Sequence, residues 1–335
     1  MNLVFAHFYT QVPRHLIKNL ELTSSNFPQF KIYLVTDRND VERVPSGVEV
    51  FVYKPDNIWR EMEEQLSHPR DFRNNFWFTS IARFLALADF ATHKDGSFLH
   101  IESDVIISPD FPLRKIDSGD WDFAFPVVND ELAIASTLYF RNSRAAIRLA
   151  RLAISECADD SQATDMHVLR KLMDLNPNRV QLLPTATSNP YFYNKVPNNF
   201  LIQTGSAIEY FEGVFDGFDI GQYLLGIDPR NRRGRTLLRS VNPNNYLNCR
   251  NIKFEMTSSR EFPYINDQGK QFPLFSIHVH SKNLKVFQVG STRKLLQSAV
   301  LKSKFPQELR FNVSVFISSV TRSLQRRFRT AFHDA

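Results

Sequence analysis

The chain has 335 residues, of which 43% are hydrophobic and 23% charged, with 30 phenylalanines and only Cys157 and Cys249 as cysteines. This suits a soluble α/β protein of one large or two smaller domains with an aromatic core, and it excludes a disulfide scaffold or a cysteine metal cluster. The net charge of +6 is a property of the tail: residues 291–335 hold nine Lys/Arg against two Asp/Glu, and the remainder is almost neutral, so no nucleic-acid partner is expected for the body.

The opening stretch Met1–Tyr9 is apolar but too short for a signal h-region and lacks a basic n-region. No run approaches the ~18 apolar residues of a membrane span, so the expected location is cytoplasmic. Residues 2–8 read as a strand and Pro13 to about Asn26 as a helix. Lys31–Thr36 is a second strand ending at Asp37, and Val48–Tyr53 a third. Residues 74–92 form a long, mostly apolar helix that must be largely buried. Strands alternating with helices predict a doubly wound sheet, with ligands at the carboxyl ends of its strands.

Phe98–Ile107 then reads as one buried strand between the turn dipeptide Asp95-Gly96 and Ser108-Pro109-Asp110. Glu102 and Asp104 interrupt it. On a strand, residues i and i+2 share a face, so both carboxylates would point the same way out of a hydrophobic element. Buried charge is costly unless paired or bound to metal, and a hard divalent cation on a phosphate-bearing substrate accounts for it.

Further on, Asp122–Val127 and Ser136–Phe140 look like strands, and Ser143–Cys157 and Asp165–Leu175 like helices, the latter with Thr164 as N-cap. Residues 184–270 hold many Asn, Pro and Gly and predict long structured loops of the kind that carry substrate contacts. Within them, Phe215–Asn231 is dense in Gly, Asp and aromatics. That mixture suits a sugar-binding loop in which Asp219 and Gln222 bind hydroxyls, and it equally suits an ordinary loop, helix and turn. Phe275–His280 is a late strand on which His278 and His280 share a face. The expected division is 1–115, 116–290 and a basic tail over 291–335. In that tail Phe316, Val320, Leu324, Phe328 and Phe332 recur every fourth residue, with Arg322, Arg326 and Arg329 on another side. Such a helix can lie peripherally on an anionic membrane through 308–332, or pack on the body with its arginines solvated.

There is no G-x-G-x-x-G, P-loop, G-x-S-x-G or H-E-x-x-H sequence, and 11 glycines leave little material for a glycine-rich phosphate cradle. Any diphosphate would have to be neutralised by metal and basic side chains.

Glu102-Ser103-Asp104 resembles the D-x-D motif of GT-A nucleotide-sugar glycosyltransferases, with Glu in place of the first Asp. Ile81–Leu87 is similar to the Arg-bearing helix that precedes the motif, His278-Val279-His280-Ser281-Lys282 resembles the late His and Lys of some such enzymes, and Leu34–Asp37 resembles the nucleotide-binding half. The resemblance implies an α/β, GT-A-like Rossmann-type mixed sheet with flanking helices, a nucleotide-sugar-binding half and a loop-rich acceptor half. It implies that Asp104 and His280 hold Mn²⁺ or Mg²⁺ with Glu102 in support. Arg83 and Lys282 would offset diphosphate charge, and Asp37 would approach the base or ribose. Asp165 would face the acceptor hydroxyl as base.

Each piece also has a structural reading: Arg83 can pair with Asp89 or another core acid, and Asp165 can simply complement a helix dipole. The expected function is metal-dependent sugar transfer from a nucleotide-diphosphate donor to a glycan, lipid-linked or other hydroxyl acceptor. The alternatives are a metal-dependent nucleotidyltransferase or phosphohydrolase, and a non-catalytic carbohydrate-binding or membrane-associated protein.

Overall fold

A computed structural model describes residues 1–303 apart from 9, 42, 55–56, 67–75, 161–162, 228–240, 258–259 and 289. The expected amphipathic helix over 308–332 and the Asp228–Asn231 end of the expected sugar loop lie outside the described residues. In chain order the elements run β1 (Asn2–His7), α1 (Arg14–Asn26), β2 (Ile32–Thr36), β3 (Val48–Val52), α2 (Asn57–Glu64), α3 (Phe76–His93), β4 (Phe98–Ile101) and β5 (Val105–Ile107). There follow α4 (Leu113–Ser118), β6 (Phe123–Phe125), β7 (Thr137–Phe140), α5 (Ser143–Asp159), α6 (Asp165–Leu175), β8 (Val180–Leu182), α7 (Asn198–Phe211), β9 (Val214–Phe215) and α8 (Asp219–Leu225). The last are β10 (Lys253–Glu255), β11 (Tyr264–Asp267), β12 (Lys270–His278) and α9 (Thr292–Ser303).

A 7-stranded sheet in the order β3-β2-β1-β4-β7-β6-β8 forms the centre. Its first four strands are parallel to one another, while β7 runs antiparallel to β4 and to β6. The strand–helix alternation predicts an α/β sheet, the resemblance to GT-A enzymes implies a mixed one, and this sheet is both, drawing strands from both sides of residue 115. The helix α3 is apolar almost all round because α5 covers one side of it and strands β1 and β2 another. Phe90, Phe98, Phe123 and Phe140 pack ring against ring, Phe98 stacked on Phe140 and the other two contacts edge-on, as the aromatic core that the composition predicts.

Three expectations are corrected. Phe98–Ile107 is not one strand: β4 ends at Ile101 in the large sheet, and β5 pairs antiparallel with β12 in a second, 5-stranded sheet. Glu102-Ser103-Asp104 is the turn between them, closed by the Val105 N–H donating to the Glu102 carbonyl at 3.0 Å. Local hydrophobicity cannot register that change of partner, because both strands are equally buried. Residues 184–270 are also more regular than their Asn and Pro content suggests. They contain α7, α8 and three short strands, since the buried Phe200, Ala207, Ile208 and Phe211 give α7 a packed face. The late strand is longer upstream than expected and ends at His278, which leaves His280 in the turn beyond it. The expected cap Thr164 does open α6, its N–H donating to His167 Nδ1 at 3.1 Å. Among the described residues no helix is long and apolar enough to cross a membrane. The start of the expected tail is α9, which packs on α8 and β10.

Candidate active site

The parallel strands β1, β2 and β4 end at His7, Thr36 and Ile101 on one edge of the sheet, and the acid turn sits at that edge. The Glu102 N–H donates to the Ser136 carbonyl at 3.1 Å, so the turn's first acid is fixed where β7 enters the sheet. The Val279 N–H donates to the Asp104 carbonyl, which lays the end of β12 directly against the second acid. The crossing between two sheets thus brings residues 102–104 and 278–282 together across more than half the chain.

Asp104 is buried and faces His278, whose Nε2 lies 3.2 Å from Asp104 Oδ1 and 3.6 Å from Glu102 Oε2. The His278 and His280 rings stack with centroids 3.9 Å apart and planes 19° apart. Lys282 Nζ is 3.8 Å from Asp104 Oδ2. Burial works to raise the Asp104 carboxyl, but His278, Lys282 and His280 outweigh it and hold the group well below the usual carboxylate range. Burial works to lower His278, and Asp104 and Glu102 outweigh it, pushing the imidazole up to about 9. Without a cation, then, His278 pairs with Asp104 as an imidazolium, while Glu102 is met by Arg83.

These donors fit a metal. One ligand atom each from Asp104, His278 and His280 lie within 4.8 Å of one another. His278 Nδ1 sits 3.1 Å from the Gly217 carbonyl, so its N–H is spent there, and loss of the proton from Nε2 would free that nitrogen as a metal ligand. His278, the less favoured of the two histidines on sequence grounds, is therefore as well placed as His280.

His278 itself is held by Asp216, a fully buried carboxylate in the segment between β9 and α8. It accepts from the N–H groups of Ile220 at 3.0 Å, Gly221 at 2.7 Å and His278 at 2.8 Å. Burial, opposed by those N–H groups, pushes its carboxyl up to about 6. Gly221 permits the approach: a Cβ there would stand 1.9 Å from the His278 carbonyl oxygen. Nothing in the local pattern Phe215-Asp216-Gly217-Phe218 separates Asp216 from a solvated loop acid; its role appears only once β12 is alongside.

Arg83 meets neither Asp89 nor open solvent. Its Nη1 is 2.6 Å from Glu102 Oε1 and its Nη2 is 2.6 Å from Asp165 Oδ2, in a site where all three side chains are largely buried. One guanidinium thus fixes two carboxylates contributed by different elements. Burial raises the Asp165 carboxyl, against the pull of Arg83. His100, on β4 below the turn, is kept neutral by burial and by Arg83, and its Nδ1 meets the Val4 carbonyl at 3.1 Å. Asp37 is exposed just past β2. It lies near enough to His7 to favour that ring's charge, while burial and Lys282 disfavour it. Asp219 opens α8 and accepts from Asn245 Nδ2 at 2.7 Å, and burial pushes its carboxyl up to about 7. Gln222 lies three residues on, partly exposed. Phe218, just before α8, presents its ring edge-on to His280 with centroids 6.0 Å apart.

No family model and no curated protein matches the sequence. Among solved structures, the chain is similar to the galactosyltransferase LgtC in complex with donor and acceptor sugar analogues, at 14% identity and a TM-score of 0.42 over 61% of this chain and 83% of that one. It is also similar to mouse xyloside xylosyltransferase 1 in its apo form, at 7% identity and a TM-score of 0.37 over 64% of this chain and 93% of that one. A third is a glycosyltransferase involved in glycosylation of the major capsid of PBCV-1, at 10% identity and a TM-score of 0.32 over 62% and 92% of the two chains. At TM-scores this low, function has to come from the chemistry of the site.

Proposed function

We propose that the chain is a metal-dependent glycosyltransferase that moves a sugar from a nucleotide-diphosphate donor to a glycan, lipid-linked or other hydroxyl acceptor. The observation that carries this reading is the convergence of Asp104, His278 and His280 within 4.8 Å, at the sheet edge where open α/β folds bind ligands. A divalent cation held by these three would supply Lewis-acid stabilisation of the departing diphosphate. Two imidazoles with one carboxylate favour Mn²⁺ over Mg²⁺, which prefers oxygen ligands.

Lys282, tethered near Asp104 by charge alone, can swing its ammonium toward phosphate oxygens. Arg83 holds Glu102 and Asp165 in fixed orientation, so that their remaining oxygens can accept from sugar or ribose hydroxyls. Asp37 would approach the nucleoside, and Asp219 and Gln222, which follow Phe218 in α8, would serve the acceptor side. Inverting transfer needs a carboxylate to take the acceptor's proton, and Asp165, with its raised proton affinity, is that carboxylate; retaining transfer dispenses with it. A lipid-linked acceptor would give the basic tail a purpose at the inner face of a membrane, and deletion of 306–335 should then reduce binding to anionic vesicles.

The test is a thermal-shift screen of UDP-, GDP- and CMP-sugars with and without Mn²⁺, followed by product analysis. A metal-dependent shift with one nucleotide, release of the nucleoside diphosphate and loss of both in Asp104→Ala are expected. Release of pyrophosphate from a nucleoside triphosphate supplied with a sugar 1-phosphate would instead indicate a nucleotidyltransferase, and cleavage of the donor to nucleoside monophosphate and sugar 1-phosphate a phosphohydrolase. Donor binding indifferent to Mn²⁺ and to Asp104→Ala would leave a non-catalytic carbohydrate-binding protein.

A further inference from the structure

We infer that Asn19 of α1 is a positioning residue of the metal centre, holding the acid turn in register with His278 and His280; the inference rests on the metal reading above. Asn19 is completely buried, on the same face of α1 as Leu16 and Leu20. Its Nδ2 donates to the Ser103 carbonyl at 3.2 Å and to the Val105 carbonyl at 2.7 Å, the two carbonyls that flank Asp104. Both donors of the amide are therefore spent on carbonyls of the two residues that neighbour Asp104, one entering the acid turn and one opening β5. Its Oδ1 is buried and has no hydrogen-bond partner among the described residues. Turning the amide over would set that oxygen against two carbonyl oxygens, so the orientation is dictated by chemistry.

A buried acceptor left open is destabilising, and an apolar residue of similar size would avoid it. Packing of α1 alone therefore does not call for asparagine here, whereas the Ser103 and Val105 carbonyls, which need donors where the acid turn passes into β5, do. The same helix also reaches the other limb of the site. One turn earlier, His15 Nε2 lies 3.4 Å from Ser103 Oγ, and its ring centroid is 6.0 Å from that of Phe287. Phe287 belongs to the 3-10 turn Leu284–Phe287, which follows directly on the His280–Lys282 segment. α1 thus braces the turn that carries Asp104 and the chain that leaves His280 against one another.

The experiment is calorimetric titration of the full chain with Mn²⁺ alone, for the wild type, Asn19→Leu and Asn19→Ala, with melting temperatures taken separately in EDTA. Asn19→Leu, which leaves the Ser103 and Val105 carbonyls without this donor, should melt several degrees lower in EDTA, and at a temperature where it is fully folded should bind Mn²⁺ about 10–100-fold more weakly, as expected when a group orienting a ligand is lost. Asn19→Ala, which leaves room rather than filling it, should lose affinity in the same sense and carries the comparison should the leucine variant not fold. Wild-type Mn²⁺ affinity in folded variants overturns the inference alone. So does an affinity loss that disappears at a temperature where the variant is fully folded. A wild type that binds no Mn²⁺ overturns the metal reading, and the inference with it.

Discussion

Replacing Arg83 by leucine tests the charge arrangement of the site most directly. The guanidinium contacts Glu102 and Asp165 at 2.6 Å each, and the side chains are only 12%, 17% and 10% exposed. Arg83→Leu leaves two carboxylates close together in a poorly hydrated site with no cation between them. Removing one partner of a buried pair typically costs about 3–5 kcal/mol, because an uncompensated charge remains. At about 2–4 °C per kcal/mol, a fall in melting temperature of roughly 6–20 °C is expected near pH 8. The loss should depend on pH. In the variant, Asp165 keeps the upward push of burial and loses the downward pull of Arg83, so its folded pKa rises further above the unfolded value. A group raised in this way contributes stability that is present below its unfolded pKa and lost as pH rises through its folded one. The deficit relative to wild type should therefore shrink toward pH 5 and widen toward pH 8. Melting curves from pH 5 to 8, followed by fluorescence, give the answer. Arg83→Lys should fall between the two, because a point charge cannot span both carboxylates. A drop of less than about 2 °C at pH 8, or a drop independent of pH, would refute the reasoning, since either means that solvent already screens the two acids.

Other consequences are equally open to measurement. In Gly221→Ala the new Cβ would stand 1.9 Å from the His278 carbonyl oxygen and 2.7 Å from Asp216 Oδ2, so α8 must shift off β12. Overpacking of this kind costs about 1–3 kcal/mol or more, and unchanged stability in a chemical denaturation curve would show that the approach is looser than described. His278→Gln should weaken Mn²⁺ binding by at least about 100-fold. In the wild type, metal must displace the proton that Asp104 stabilises on His278, so calorimetric affinity should climb with pH toward about 9, and the variant should lose that climb. Asp219, raised to about 7 by burial, contributes stability at low pH that is lost as pH rises through 7. Asp219→Asn should flatten the wild type's decline in melting temperature between pH 5 and 8, and an unaltered slope would show that Asp219 ionises without penalty.

Glu102 and Asp104 could be singled out in the sequence because each is an acid set in an apolar run, and such residues need partners, whereas Arg83 and His280 stood out only through the resemblance to GT-A enzymes. Their partners were not legible. Arg83 reaches Asp165 across 82 positions, and Asp216 reaches the His278 N–H across 62. Asn19 carried a faint signal, since His15, Asn19 and Thr23 form a polar line within the buried face of α1. The same line would equally suit a helix whose polar groups bond within its own turns.

The alternation of strands and helices, the buried character of α3, the aromatic core and the presence of acids at a sheet edge were fixed by local pattern. Periods of 2 and 3.6 residues and the burial of apolar surface act over a few residues at a time, and a sequence displays them directly. Tertiary structure alone decided that Phe98–Ile107 breaks between two sheets, that the break turns Glu102 toward Arg83 and Asp104 toward His278, and that Asp216 and Asn19 hold the two limbs together. Those outcomes depend on which strand becomes whose neighbour, and pairing energy is shared among segments far apart in the chain.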